Sequence, residues 1–310
     1  MATAAISTVR PKAGARERSG ASYGYALMAP LLAWLFLTIV VPLGYAVYLS
    51  LTDTGIIGAG ASFIGLENYT RVLGDGAVIA AFGRSVLWAL GGAIVQTVLA
   101  LATALVLNQH FRGRGVARTW IILSFIVPTI VIAILWRWML SAGFGIVNWV
   151  LTTIGIVGEP VDFLGSAALA LPTVVGINAW RWFPFLALIV LAGLSTIPNN
   201  VYDAARVDGA SRWQVFRTIE LPLLQPVLFV VGLLGTLWSF NIFDVIWLLT
   251  QGGPADATQT LPVLIYQRAF DGFALGEASA IAVLFALFLL VFSAVYLRFV
   301  PQGKTEREIL

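Results

Sequence analysis

Cysteine is absent from the 310 residues, and histidine occurs once, as His110. Without thiols there is no disulfide, no thiolate metal centre and no cysteine nucleophile. With a single imidazole the chain cannot build a histidine-cluster metal site. No Gly-rich loop ending in Gly-Lys-Ser/Thr is present, so the chain does not itself hydrolyse ATP. A His-Glu-x-x-His helix and a Gly-x-Ser-x-Gly elbow are also missing, and His110 lies between apolar runs, away from any candidate serine. These absences leave neither a catalytic residue nor a metal or cofactor site to assign. Charge is scarce too, at 11% of residues against about 25% in soluble domains. With 59% hydrophobic residues and a mean hydropathy of +0.92, the chain belongs in a bilayer. The net charge of +3 is small and does not imply a nucleic-acid partner.

What is abundant is long apolar runs. A helix needs about 20 apolar residues to cross a membrane. Six runs qualify, at approximately 24–51, 85–108, 118–140, 169–194, 223–250 and 276–299. They are continuously apolar, which excludes an alternating β-barrel pattern and predicts an all-α membrane protein. The first run is too long for a signal peptide and reads as a retained span. It follows a basic tail over 1–22, read as disordered, and a short tail over 301–310 ends the chain. Arginine and lysine set the orientation. The N-terminal tail, the 109–118 loop, the 199–222 segment and the C-terminal end hold thirteen of the eighteen basic residues. Six spans put all four on the cytoplasmic side, with both termini inside. Pro128 and Pro184 predict kinks in spans three and four.

One polar stretch stands out, residues 199–222, where six of 24 residues are charged. It reads as two short helices broken at Gly209, whose lack of a Cβ suits the left-handed residue that ends a helix. Asn200 is a candidate cap of the first helix, with Asp203 reaching back. Ser211 and Gln214 form a capping box for the second. Each piece is about two turns long, too short to be stable alone in water, so the hairpin needs a partner.

Polar groups within spans are costly in hydrocarbon and point to function or to interhelical bonding. Gln96 reads as a residue that hydrogen-bonds neighbouring helices. Asn178, Ser239 and Asn241, beside Trp238, suggest a water-filled cavity between spans four and five, where rings stack on a sugar and amides bond its hydroxyls. Asn241 and Asp244 share a helical face. Asp244 reads as a structural partner near the outer ends of the spans, with Arg181 as one candidate counter-ion. An ion-coupled secondary transporter stays open as another class, although Asp244 and Glu277 are the sole acidic residues in the spans. Trp136, Trp138, Trp180 and Trp182 read as an interfacial belt near outer span ends.

The run Asp203-Ala204-Ala205, then Asp208-Gly209-Ala210, Phe216 and Leu221-Pro222, resembles the EAA loop of ABC importer permeases. Phe63-Ile64-Gly65-Leu66-Glu67-Asn68-Tyr69 and Leu249-Thr250-Gln251-Gly252-Gly253-Pro254 are similar to flanking marks of the carbohydrate-uptake class, of the maltose and glycerol-3-phosphate type. Asp203 departs from the motif's glutamate but keeps its carboxylate on a shorter arm. The resemblance implies a type I importer permease fold of a bacterial inner membrane. It implies that the hairpin is a coupling helix docked in a cytoplasmic ATPase dimer, which binds ATP and Mg. It also implies a second, different permease subunit and an extracytoplasmic solute-binding protein. By offset, sugar-contacting positions fall at Asn178, Trp182 and Phe185 before the hairpin and at Gly235, Trp238, Ser239 and Ile242 after it. Among these, Asn178 alone keeps the residue type, so holding a sugar as maltose is held is not implied. The expected function is import of a sugar, or alternatively of glycerol phosphate or another polar solute.

Overall fold

A computed structural model describes residues 27–55 and 62–299, so the expected tails at 1–22 and 301–310 lie outside the described residues. Twelve helices are used below: α1 Leu27–Ser50, α2 Glu67–Gly74, α3 Gly76–Asn108, α4 Arg114–Ile126, α5 Thr129–Met139, α6 Ile146–Thr153, α7 Ala170–Ser195, α8 Asn199–Val207, α9 Arg212–Asn241, α10 Asp244–Thr250, α11 Leu261–Tyr266 and α12 Leu275–Arg298. Five of them, α1, α3, α7, α9 and α12, are long and apolar enough to cross a membrane singly, and α4 with α5 makes a sixth, broken span.

The bundle is centred on α3 and α7. In α3 the buried residues Ala81, Ser85, Ala89, Gly92, Ala100 and Ala104 recur at helical spacing. Small side chains let helices approach closely where lipid gives no hydrophobic drive between them. Gln96 interrupts this stripe. The opposite face carries Leu87, Ile94 and Val98, all exposed as a lipid-facing surface requires. On the inner side, α7 meets α9 at Gly193, where an added Cβ would stand 3.0 Å from Leu224 and Val227 side-chain carbons.

Two spans differ from the sequence expectation. The 118–140 run holds a 96° bend between α4 and α5, far more than a kink. Val127 and Pro128 are both extended, with ψ of 131° and 141°. Proline has no N–H to donate, and its ring drives the preceding residue out of the helical region. The 223–250 run also breaks: α9 ends at Asn241, Ile242 is extended at ψ 120°, and α10 starts afresh at Asp244. The outer pieces α5 and α10 share a buried cluster through Ile132, Ala133, Val245, Ile246 and Leu249. Pro184, by contrast, sits buried inside the uninterrupted helix α7. Prolines 42 and 222 each follow a single π-helical segment, Phe36–Val40 and Phe216–Glu220. In each segment the residue before the proline bonds the carbonyl five residues back, from Val41 to Phe36 and from Leu221 to Phe216. The widened turn makes room for the ring without ending the helix.

The first outer loop is tied down by its aromatic-amide motif. Asn68 is buried and donates to the Ser50 and Thr52 carbonyls at 2.9 Å each, and the Tyr69 hydroxyl lies 2.6 Å from Ser50 Oγ. Arg71 of α2 bonds Glu277 of α12 at 2.8 Å, while Arg268 bridges Glu277 and Asp75. The Arg71 guanidinium is held charged chiefly by its bond to Glu277, with Glu67 adding to it.

Candidate functional site

The 199–222 hairpin is built as α8, a turn and the start of α9. Gly209 adopts φ +73°. Its N–H bonds Arg206 O at 3.1 Å, and Ala210 N–H reaches Ala205 O at 2.9 Å, which closes the helix end. The Ser211–Gln214 capping box forms in both directions. Asn200 does not cap α8. The N-cap is Pro198, whose extended conformation lets the helix begin at Asn199, so Asn200 already lies inside it. Asp203 therefore pairs forward with Arg206 at 3.1 Å, an exposed contact of small energetic weight. The second arm is not a separate two-turn helix but continues through the Phe216–Glu220 segment into span five.

The hairpin has two faces. Ala205, expected on the ATPase-coupling face, is instead buried at the side where Val201 and Tyr202 pack on the inner core formed by Leu191, Leu194, Ile197 and Leu224. The Tyr202 hydroxyl donates to Glu220 at 3.2 Å, joining the two arms. Burial, then the Glu220 charge, pushes the Tyr202 hydroxyl up to about 12, so it stays a donor. The other face carries exposed Asp203, Ala204, Asp208, Gly209 and Pro222, with Ala210, Phe216 and Leu221 half-buried. Val207 is 87% exposed and Trp213 65%, and the Trp213 ring packs on Phe216 at 5.3 Å. Reading the motif alone misses Val207 and Trp213. Their signal is a large apolar side chain on a charged segment.

A second site lies between α3, α7 and α9. Helical spacing puts Asn178, Arg181, Trp182 and Phe185 on one face of α7. The Trp182 ring lies 5.2 Å from Trp238 and 5.4 Å from Phe125, and Phe185 lies 5.7 Å from Trp238 and 5.3 Å from Phe125. Asn178, Gln96 and Ser239 are no more than 2% exposed. Yet both polar atoms of Asn178, Gln96 Nε2, Ser239 Oγ and Trp182 Nε1 are buried without a hydrogen-bond partner. A Cβ on Gly92 would touch Ser239 Oγ and Gln96 Nε2 at 3.4 and 3.6 Å, and one on Gly235 would lie 3.6 Å from Gln96 Oε1. Gln96, Gly235 and Ser239 therefore adjoin one another. Gln96 makes no interhelical bond through its Nε2, contrary to its reading as bonding between helices. Phe125 went unread because its position before the Pro128 break gives no polar or periodic signal.

The remaining expected residues divide. Asn241 is exposed and bonds Leu237 O of its own helix at 2.9 Å. It does not share a helical face with Asp244, because the break at Ile242 separates them. Asp244 does meet Arg181, at 3.6 Å. The pair is not at the outer end of span four, since Arg181 is the twelfth of the 26 residues of α7. Trp182, next to it, is likewise central and not part of an outer belt. An apolar cavity of about 340 Å³ lined by Val72, Phe82, Leu261 and Phe288 lies elsewhere, against α2 and α12, and offers no polar group to orient a solute.

The hairpin packs on the inner core of the bundle, and the cluster of unpartnered polar groups lies within the spans. Residues 96–302 match the family described as binding-protein-dependent transport system inner membrane component. The chain belongs to that family, the ABC importer permeases. This permease is 36% identical over 291 residues to the trehalose/maltose transport system permease protein MalF of Thermococcus litoralis, across 93% of this chain and 96% of the relative. It is 34% identical over 276 residues to the sulfoquinovosyl glycerol transport system permease protein SmoG of Agrobacterium fabrum, across 88% and 89% of the two chains. The sn-glycerol-3-phosphate permease UgpA of the same organism is 32% identical over 279 residues, across 90% and 94%. Among solved structures, a bacterial ABC transporter that imports the acidic polysaccharide alginate matches with a TM-score of 0.80 at 21% identity, over 94% of the permease and 99% of that chain. The methionine transporter MetNI matches with a TM-score of 0.54 at 16% identity, over 77% and 99%. These two likenesses are of fold, the type I importer permease. The permease is thus a multi-pass inner-membrane transport component, and binding-protein-dependent transport displaces the ion-coupled alternative.

Proposed function

We propose that this permease forms half of the translocation pathway of an ATP-driven sugar importer. The observation that carries the reading is the set of buried, unpartnered polar groups on Gln96, Asn178, Trp182 and Ser239 beside the rings of Phe125, Phe185 and Trp238. Unpaired buried polar groups cost about 1–3 kcal/mol each, so a site that retains several is built to bond something. Rings beside hydrogen-bonding groups suit a sugar, whose C–H faces stack while its hydroxyls bond. The trehalose/maltose and sulfoquinovosyl glycerol relatives support the same class. In this reading Asn178, Trp182, Phe185, Gly235, Trp238, Ser239 and Ile242 border the pathway, and Asn241 marks its outer edge.

The chain carries no catalysis of its own. ATP and Mg belong to a cytoplasmic ATPase dimer, and a second, different permease completes the pathway below an extracytoplasmic solute-binding protein. The hairpin face formed by exposed Asp203, Ala204, Asp208, Gly209 and Pro222 with half-buried Ala210, Phe216 and Leu221 docks on the ATPase, with Val207 and Trp213 as its apolar anchors. Trp213→Glu, which places a charge where the anchor desolvates, lowers co-purification of the ATPase at least tenfold while the permease pair still assembles. An undiminished yield of ATPase would refute Trp213 as an anchor.

The function itself is tested by reconstituting the permease pair with ATPase and binding protein in proteoliposomes. ATP-dependent uptake of a neutral sugar is the expected result. Uptake without the ATPase, or uptake of glycerol 3-phosphate in preference to every sugar, contradicts it.

A further inference from the structure

Arg181 is poorly satisfied for a cation at the middle of a span. Its Nη1 lies 3.6 Å from Asp244 Oδ2, outside hydrogen-bond reach, and its Nε is buried with no partner. Its side chain is 15% exposed and that of Asp244 is 50% exposed. An ion pair kept for structure in a low-dielectric interior offsets its desolvation through close, hydrogen-bonded geometry. This pair does not have that geometry. Both partners retain unused hydrogen-bonding capacity beside the space between them.

That space is the site already described. Arg181 lies between Asn178 and Trp182 on one face of α7, with its guanidinium carbon 5.4 Å from the Trp182 ring centre. Asp244 is delivered by the break in span five, where neither proline nor glycine interrupts the sequence. The break does what a continuous helix would not: it starts a new helix with a carboxylate beside Arg181.

We propose that Arg181 and Asp244 are a specificity-determining pair that together read adjacent hydroxyl groups of a neutral sugar. The guanidinium donates to one hydroxyl, and the carboxylate accepts from its neighbour. The inference rests on the sugar-import reading and names its recognition chemistry. Charge decides in favour of a neutral solute. The pair sums to zero, so a neutral sugar inserted between its members leaves no net charge at membrane depth. An anion bound to Arg181 would face the Asp244 carboxylate at close range.

The test uses the complete complex. Uptake of glucose, galactose, xylose, maltose, trehalose and sucrose, and of the anions glucuronate and glycerol 3-phosphate, is measured first. Equilibrium binding of the radiolabelled neutral sugar that is taken up is then measured on the nanodisc complex without binding protein. Arg181→Gln and Asp244→Asn each weaken binding at least tenfold, and both lose the wild-type preference for that sugar over its monodeoxy analogues. Arg181→Lys keeps the charge but not the planar fork and shows the same loss, which separates recognition from folding. Normal binding by Arg181→Lys overturns the proposal. So does recovery of wild-type affinity when Arg181→Asp is combined with Asp244→Arg, because a purely structural pair tolerates exchange. Weakening confined to the anions, or no binding of the transported sugar to the unaltered complex, overturns it as well. If no neutral sugar is taken up by the unaltered complex, the sugar reading fails first, before any variant is made.

Discussion

Gly209→Val lowers the solute carried per ATP hydrolysed at least tenfold. Gly209 holds φ +73°, and nothing lies within 4 Å of the position its Cβ would occupy. Any penalty is therefore one of backbone conformation and not of crowding. A left-handed conformation costs an L-residue about 1–2 kcal/mol, and β-branched residues tolerate it worst. The bonds from Gly209 and Ala210 to Arg206 and Ala205 depend on that conformation. The nine residues of α8 cannot absorb the loss, because so short a helix is marginal alone. A displaced α8 moves Val207 relative to the second arm of the hairpin and breaks the lever, although the spans are untouched. Gly209→Asn, which tolerates the left-handed region, retains most of the coupling and serves as the control. Parallel uptake and phosphate release in proteoliposomes give the ratio. A wild-type ratio in the valine variant would remove the hairpin from the coupling mechanism.

The hairpin was legible because its signals are local. A glycine after Asp208, a Ser-x-x-Gln box and six charges between two apolar runs each act within a few residues. Six spans were legible for the same reason, since about 20 apolar residues have few alternatives in a bilayer. The misread parts depend on tertiary placement. Pro128 announces an interruption but not its 96°, because the angle is set by packing of α5 on α10. Ile242 and Phe243 announce nothing, so Asp244 read as the continuation of a helix face it does not share. Asn200 has a capping side chain, but Pro198 two residues earlier already starts the helix. Gln96 looks like many amides that bond between helices, and only the surrounding side chains reveal that its Nε2 has no partner.

Asn178→Leu separates a binding site from interhelical bonding, since the two roles demand opposite changes in stability. The Asn178 side chain is 1% exposed and neither its Nδ2 nor its Oδ1 has a partner. Leucine is similar in size and brings no polar group, so it removes a desolvation cost of about 1–3 kcal/mol without deleting a bond. The complex then melts at the same temperature as the wild type or higher. Solute recognition moves the other way. Two hydrogen bonds of about 0.5–1.5 kcal/mol each are lost from the bound state. At about 1.4 kcal/mol per tenfold, affinity for the transported sugar falls on the order of 10- to 100-fold. If Asn178 bonded helices together, the same variant would lower the melting temperature and leave affinity unaltered. That pattern, read by thermal unfolding and sugar titration of one nanodisc preparation, would move the site away from α7. A stabilised complex that no longer binds its sugar would instead mark Asn178 as a residue kept for recognition at the expense of stability, as functional sites commonly are.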